Sequence, residues 1–442
     1  MRRPLRCLGW PLLAATLFLP VPVEGQVRGG GRERERPARE AEQEEETEDA
    51  PLSEAGTRAV LTYYERSEDW PVRVLALLRL GSHWHPVGAP IVAEALGEKD
   101  PRLKVYALEM LQRTRDDVLR SVATPDLIDA LIKLSKGPRP FEKPIVRLIR
   151  RISGDDTLEN RSDIKSWWRR AEKDGYEPAP WPEIPEQPDG EEGDRTSTGV
   201  LDQVLDLKEA GLDLAIVIDG TGSMGGPIAA CTKAMDDLIV LLGELTSRFR
   251  VGVVVYRDFG DMSDGADVAL PLRPRGREAQ KELSRIVAGG GGDAPERVEK
   301  GFEFAISREM RWRPEANKLI VIIGDAPPHA NTQEALVEAV KMARESAAAV
   351  ISGGPTTGAA QELVRPFLTS CIAASPAASS PFREIAEAGG GTFAQLSAED
   401  SDRAARQIAS HVLRLSFGAR WRRQAEEFAR IYFDWRDKKV LR

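Results

Sequence analysis

The chain has 442 residues, 30% of them charged and 41% hydrophobic, with a formal net charge of −8. That length gives room for two or three domains, and the acidic balance excludes general attachment to nucleic-acid backbones, which select for clustered positive charge. The three cysteines, Cys7, Cys231 and Cys371, have neither zinc-like spacing nor the density of a disulfide scaffold.

Residues 1–25 read as an export signal. Arg2, Arg3 and Arg6 precede an apolar run from Leu8 to Val23, broken by Pro11, Pro20 and Pro22, and Val23-Glu-Gly25 offers small residues for cleavage. An uncleaved anchor is the competing reading, although the run is short and proline-broken for a bilayer span of about 20 residues. Loss of this segment would leave the remainder at a charge of about −10. The expected location is outside the cytoplasm, either in the periplasm or cell envelope or secreted. Cys7 would leave with the signal, and Cys231 and Cys371, in apolar surroundings, are expected to be two buried thiols rather than a bridge.

Residues 26–55 hold Gly29-Gly-Gly31, Arg32-Glu-Arg-Glu-Arg36 and an acidic run from Glu42 to Asp49, too few large apolar groups to build a core. A solvated tether is predicted there. Residues 56–174 are predicted to be a helical domain containing an internal repeat. Asp69, Val72, Arg73, Ala76 and Leu80 recur 31 positions later as Asp100, Leu103, Lys104, Ala107 and Leu111. The apolar and small residues share one helical face. The signature resembles HEAT-like repeats over residues 56–154, which implies a helical-hairpin solenoid presenting a surface to other macromolecules, or a plain spacer. His83-Trp-His85 lies between the helices of the first copy, where a metal pair lacks a third ligand, and Trp167-Trp168 is expected to cap the last helix.

A semi-extended linker rich in Pro and Glu is predicted over 175–198. From 199 to 417 apolar runs alternate with amphipathic stretches: strands at Leu212–Asp219, Arg250–Tyr256, Asp267–Leu272, Leu319–Gly324, Phe367–Ala373 and Thr392–Leu396, with helices between them. This pattern predicts an α/β fold, a doubly wound and mostly parallel sheet, following the all-α helical-repeat domain. Residues 418–442 are predicted to be a closing basic helix with Trp421, Phe428, Ile431, Tyr432 and Trp435 along one stripe. The stripe could pack on the chain itself or lie on an acidic membrane surface, and packing is the favoured reading.

The chemistry concentrates at Asp219-Gly-Thr221-Gly-Ser223, directly after the apolar run Leu214–Ile218. One carboxylate and two hydroxyls, spaced two apart at a strand's carboxyl end, are hard oxygen ligands suited to Mg²⁺. Together with Val254-Val-Tyr-Arg-Asp258, Gly290-Gly-Gly-Asp-Ala-Pro-Glu296 and Ile322-Ile-Gly-Asp325-Ala-Pro-Pro-His329, this segment resembles the von Willebrand factor type A domain and its metal-ion-dependent adhesion site. The resemblance implies a metal site formed by Asp219, Thr221, Ser223 and Asp325. Asp293 stands where many adhesion domains have threonine. It either approaches the metal, making the site more anionic, or caps a helix beginning at Ala294.

The implied cofactor is Mg²⁺, or else Mn²⁺ or Ca²⁺, and the implied partner is a protein presenting an acidic residue. The predicted function is that of an exported, non-enzymatic binding protein. An envelope scaffold in which the metal is a staple and the helical repeats do the binding is the alternative, and a metal-dependent hydrolase is a minor one. Asp258, Asp261, Asp264 and Asp267 could bind Ca²⁺, although a solvated loop is the favoured reading, and His329 could serve as a base near the metal, without a nucleophile to partner it.

Overall fold

A computed structural model of the chain describes residues 52–183, 191–258, 265–274, 276–291, 294–347, 364–396, 401–418 and 421–441. The expected export signal, and the tether as far as residue 51, lie outside the described residues.

Among the described residues, eight α-helices precede residue 174: α1 (Glu54–Arg66), α2 (Trp70–Ser82), α3 (Pro90–Gly97), α4 (Pro101–Arg113), α5 (Asp116–Val122), α6 (Pro125–Leu134), α7 (Glu142–Ser153) and α8 (Arg161–Lys173). The repeated segments become α2 and α4, which pack against one another. Their repeat aspartates, Asp69 and Asp100, stand at the N-cap positions, and Asp100 accepts a hydrogen bond from Arg102 N at 2.8 Å. Ala76 and Ala107 are fully buried, as close helix approach requires. Trp168 is buried at the end of this region, where its indole donates to Asp129 Oδ1 at 2.8 Å and its ring meets Tyr176 edge-on.

The linker expected over 175–198 gives way early to α9 (Glu191–Ala210). Val200, Leu201, Val204 and Leu207 of that helix are buried, and α9 packs on α1 and α2. Packing of this apolar face carries the helix back into a polar stretch whose composition alone suggests coil.

Six strands follow: β1 (Leu212–Asp219), β2 (Phe249–Tyr256), β3 (Ala266–Pro274), β4 (Asn317–Gly324), β5 (Phe367–Ala373) and β6 (Gly390–Gln395), in the order β3-β2-β1-β4-β5-β6. Every pairing is parallel except that of the edge strand β3 with β2. The intervening helices are α10 (Gly225–Leu245), α11 (Arg277–Leu283), α12 (Val298–Ala305), α13 (Gln333–Glu345), α14 (Ser379–Ala388), α15 (Ser401–Phe417) and α16 (Arg422–Asp437).

Both faces of the sheet are covered, which is why β1 is apolar throughout and every one of its residues is buried. Leu214, Ile216 and Ile218 share a core with α10, α15 and α16, while Ala215 and Val217 share one with α12, α13 and α14. Cys231 and Cys371 are buried free thiols, and burial pushes the Cys231 thiol up to about 12.

The ring of Tyr256 enters the second core beside α12, where Gly301 leaves room for it. A Cβ at Gly301 would lie 2.7 Å from Tyr256 Cδ1 and 2.8 Å from Val217 Cγ1. Gly301→Ala is therefore expected to destabilise the fold by about 1–3 kcal/mol, the usual range for overpacking, despite the better helix propensity of alanine. A urea midpoint equal to or above that of the parent would contradict this packing.

The aromatic stripe of the last helix faces inward. Phe428 and Tyr432 stack on Trp70, Trp435 stacks on Phe141, and Tyr106 Oη donates to Phe428 O at 2.6 Å. The membrane-surface reading of the stripe is corrected accordingly: its rings fill the core. The helical region also touches the sheet region directly, through Trp70 Nε1 and Arg102 Nη1 donating to Glu244 of α10 at 2.9 and 3.0 Å. The described residues all fall within one compact unit. Among them no helix is long and apolar enough to cross a membrane.

Candidate metal centre

Parallel pairing in register aligns the carboxyl ends of three strands. Asp219 of β1 sits opposite Tyr256 of β2, and Ile218 opposite Ile323 of β4, one residue before Gly324. Loops leaving these ends must turn back over the sheet edge, where open α/β sheets place their ligands.

After β1, the chain makes a tight turn held by Asp219 itself. Its Oδ1 accepts from Thr221 N at 2.8 Å and from Thr221 Oγ1 at 2.7 Å. Its Oδ2 is buried and has no hydrogen-bond partner. Asp219 is wholly buried and Thr221 nearly so, whereas Ser223, in the 3₁₀ turn Gly222–Met224, is exposed. Burial pushes the Asp219 carboxyl up to about 6; the Thr221 hydrogen bonds oppose this, Asp325 adds to it and Arg257 counters it. A carboxylate withdrawn from water with one oxygen unsatisfied is poorly stabilised as an anion. A divalent cation would supply the missing compensation.

The second loop is laid against this turn by backbone bonds. Gly289 N donates to Gly220 O and Gly222 N to Gly290 O, each at 3.1 Å. Arg257 clasps the loop from below, donating to Val287 O at 2.8 Å and to Gly289 O. Gly291 adopts φ +69°, and a Cβ there would lie 2.8 Å from Thr221 Cβ and 2.9 Å from Glu296 Oε1. Only glycine satisfies both the left-handed backbone and the close approach. Asp293 lies outside the described residues. The helix expected to begin at Ala294 begins instead at Val298, with Arg297 at its N-cap position, so the capping role anticipated for Asp293 loses its helix.

The third loop carries Asp325, half-buried, one residue past β4. Its carbonyl accepts from Ser375 Oγ, and Gly324 O accepts from Ala374 N at 2.8 Å. Glu296 N donates to Pro327 O at 3.0 Å, joining the second loop to the third. His329 Nε2 lies 3.1 Å from Asp258 Oδ1, bracing the third loop against the end of β2.

Asp219, Thr221 and Asp325 are thus brought to one edge of the sheet, with Ser223 on the rim. Two residues of this edge were missed as site residues in the sequence: Glu296, almost fully buried beside Thr221, and Tyr256, whose buried hydroxyl has no hydrogen-bond partner. The Tyr256 phenol is held well above its ordinary range, first by burial and then by neighbouring acidic groups, Asp219 foremost. The visible signals were the Pro295-Glu296 pair closing the glycine loop and a tyrosine ending an otherwise aliphatic strand.

The other candidates disperse. Asp258 pairs with His329, Asp267 is exposed on β3, and Asp261 and Asp264 lie outside the described residues. His85 Nδ1 accepts from Val87 N at 3.2 Å, and Trp84 Nε1 donates to Thr114 Oγ1 at 2.9 Å, both local structural roles. Among the described residues, no three His, Cys, Asp or Glu side chains are grouped to hold a metal by themselves, so the hydroxyls of Thr221 and Ser223 are integral to the candidate ligand set.

Residues 213–398 match the family model of the von Willebrand factor A domain. This part of the chain is a von Willebrand factor A domain, preceded by a helical region. Alpha-protein kinase vwkA of Dictyostelium discoideum is 28% identical over 132 residues, which are 29% of this chain and 20% of that protein. The chain thus aligns with about a fifth of the length of that relative. Among solved structures, a von Willebrand factor type A protein from Catenulispora acidiphila is 18% identical, with a TM-score of 0.31 over 49% of this chain and 42% of its own. Conserved hypothetical protein BatB from Bacteroides thetaiotaomicron is 16% identical, with a TM-score of 0.32 over 46% of this chain and 97% of its own.

Proposed function

We propose that the chain is an exported, non-enzymatic protein-binding module that holds a divalent cation, Mg²⁺ or else Mn²⁺ or Ca²⁺, through Asp219, Thr221, Ser223 and Asp325. The observation that carries this reading is the second oxygen of Asp219, buried and without a hydrogen bond beside the Thr221 hydroxyl and the Asp325 loop. The donor set is hard oxygen throughout and fits these ions. When bound, the ion supplies a positive centre able to accept an oxygen from outside the protein, and an acidic side chain on a partner protein is the group that suits it.

The residues divide the work. Asp219 and Asp325 carry the charge, Thr221 aligns Asp219 through its two hydrogen bonds, and exposed Ser223 places its hydroxyl where a partner approaches. In a second reading the metal is a staple of one scaffold, whose helical region packs directly on α10 and α16, and the HEAT-like helices bind the partner.

Calorimetry of the chelator-stripped full chain tests the site. Uptake of Mg²⁺ or Mn²⁺ is expected, and Asp219→Ala is expected to weaken it by at least about 100-fold, since even residues that only orient ligands cost 10–100-fold. Equal uptake by both proteins would remove Asp219 from the site. If partner capture persists in chelator while the melting temperature falls, the staple reading replaces the adhesive one.

A further inference from the structure

Two buried polar atoms stand unsatisfied behind the candidate metal centre, Asp219 Oδ2 and Tyr256 Oη. Folded proteins rarely leave such atoms unbonded, and a donor and an acceptor orphaned at one place point to each other. Their proximity follows from Gly324. A Cβ at that position would lie 2.3 Å from Tyr256 Oη and 3.5 Å from Asp219 Cβ, so the hydroxyl and the aspartate border the same point of space. Asp219 and Tyr256 are also direct register partners on adjacent strands. Gly301 accommodates the ring and Gly324 the hydroxyl, so two glycines admit a tyrosine where phenylalanine would satisfy the apolar core. The hydroxyl is the part that packing leaves unexplained.

We propose that Tyr256 is a positioning residue for the metal centre, its hydroxyl donating to the free oxygen of Asp219, directly or through one water, when a cation is held at the rim. This rests on the metal reading of the site. A fixed hydrogen bond from behind selects one carboxylate orientation, as partners of metal ligands commonly do. It also satisfies both orphaned atoms at once, so ion uptake and internal hydrogen bonding become linked.

The test is calorimetric titration of Mn²⁺ into the chelator-stripped full chain and its Tyr256→Phe variant, with thermal melting of both stripped proteins. Affinity for Mn²⁺ is expected to fall about 10-fold in the variant. The stripped variant is expected to melt at or above the temperature of the stripped parent, since it no longer buries an unbonded hydroxyl. A purely structural tyrosine would lower the melting temperature and leave affinity unchanged. Unchanged affinity overturns the proposal, and so does a variant that fails to fold, because the hydroxyl would then belong to the fold. A parent chain that takes up no Mn²⁺ removes the metal reading itself, a failure distinguishable from loss of the Tyr256 role alone.

Discussion

Replacing Asp213 with alanine is expected to destabilise the folded chain by about 3–5 kcal/mol, the range for removing one partner of a buried ion pair. Asp213 is wholly buried near the amino end of β1, the end of the sheet opposite the candidate metal centre. Arg250 Nε donates to its Oδ1 at 2.8 Å, and Arg313 donates from N at 3.0 Å, from Nε at 3.1 Å and from Nη2 at 2.6 Å. Removing the carboxylate leaves two mostly covered guanidinium groups facing each other across a strand end. Each keeps one backbone carbonyl, Arg311 O for Arg250 and Arg248 O for Arg313, which offsets only part of the loss.

The pH dependence has a definite sign. Burial alone would raise the Asp213 carboxyl, but the hydrogen bonds from Arg250 and Arg313 outweigh it and hold the group below its ordinary value. A carboxylate depressed in the folded state contributes stability above its unfolded value, about 3.9, and that contribution drains away as pH falls through the folded value. The deficit of Asp213→Asn against the parent should therefore be full at pH 7 and narrow below about pH 4. Urea midpoints at several pH values check this; a gap that stays constant or widens in acid would show that the charge of Asp213 is not what stabilises the strand end.

The second large effect is expected at the other end of the chain. Trp435→Ala should destabilise by about 3–5 kcal/mol, as large aromatic truncations in a core do. The indole is fully buried, stacks on Phe141 at 5.1 Å between centroids and donates to Glu109 Oε1 at 2.8 Å. Truncation opens a cavity between α16 and the helical region and strips Glu109 of a donor. Because α16 also packs on α15, while Arg436 pairs with Asp237 of α10, the loss should be felt in both regions and appear as one displaced unfolding transition. If two transitions appear and only one shifts, the helical region folds independently of the sheet.

Much of the architecture was legible because local chemistry and tertiary demand agree there. Continuous apolar runs such as Leu214–Ile218 admit only a strand covered on both faces, and the observed strands follow the expected ones closely. The paired repeats announced α2 and α4 because the same residues must cap, face and pack each helix. Agreement failed at α9, where the apolar contacts that extend the helix come from α1 and α2, distant in sequence, and at α12, where the chain after Ala294 runs on to Val298 before turning helical.

At the candidate site, residue types alone set the oxygen-bearing groups and their order: a carboxylate and two hydroxyls after β1, a glycine loop, and a carboxylate after β4. Those follow from residue chemistry and from the rule that parallel strands deliver their ends to one edge. Folding in three dimensions settles which oxygen is left unsatisfied, sets Tyr256 beside Asp219 and Glu296 beside Thr221, and turns the closing aromatic helix into a core. Burial and hydrogen-bond satisfaction are properties of what surrounds an atom in three dimensions, and strand register brings Tyr256 within reach of Asp219 although 36 residues of chain lie between them.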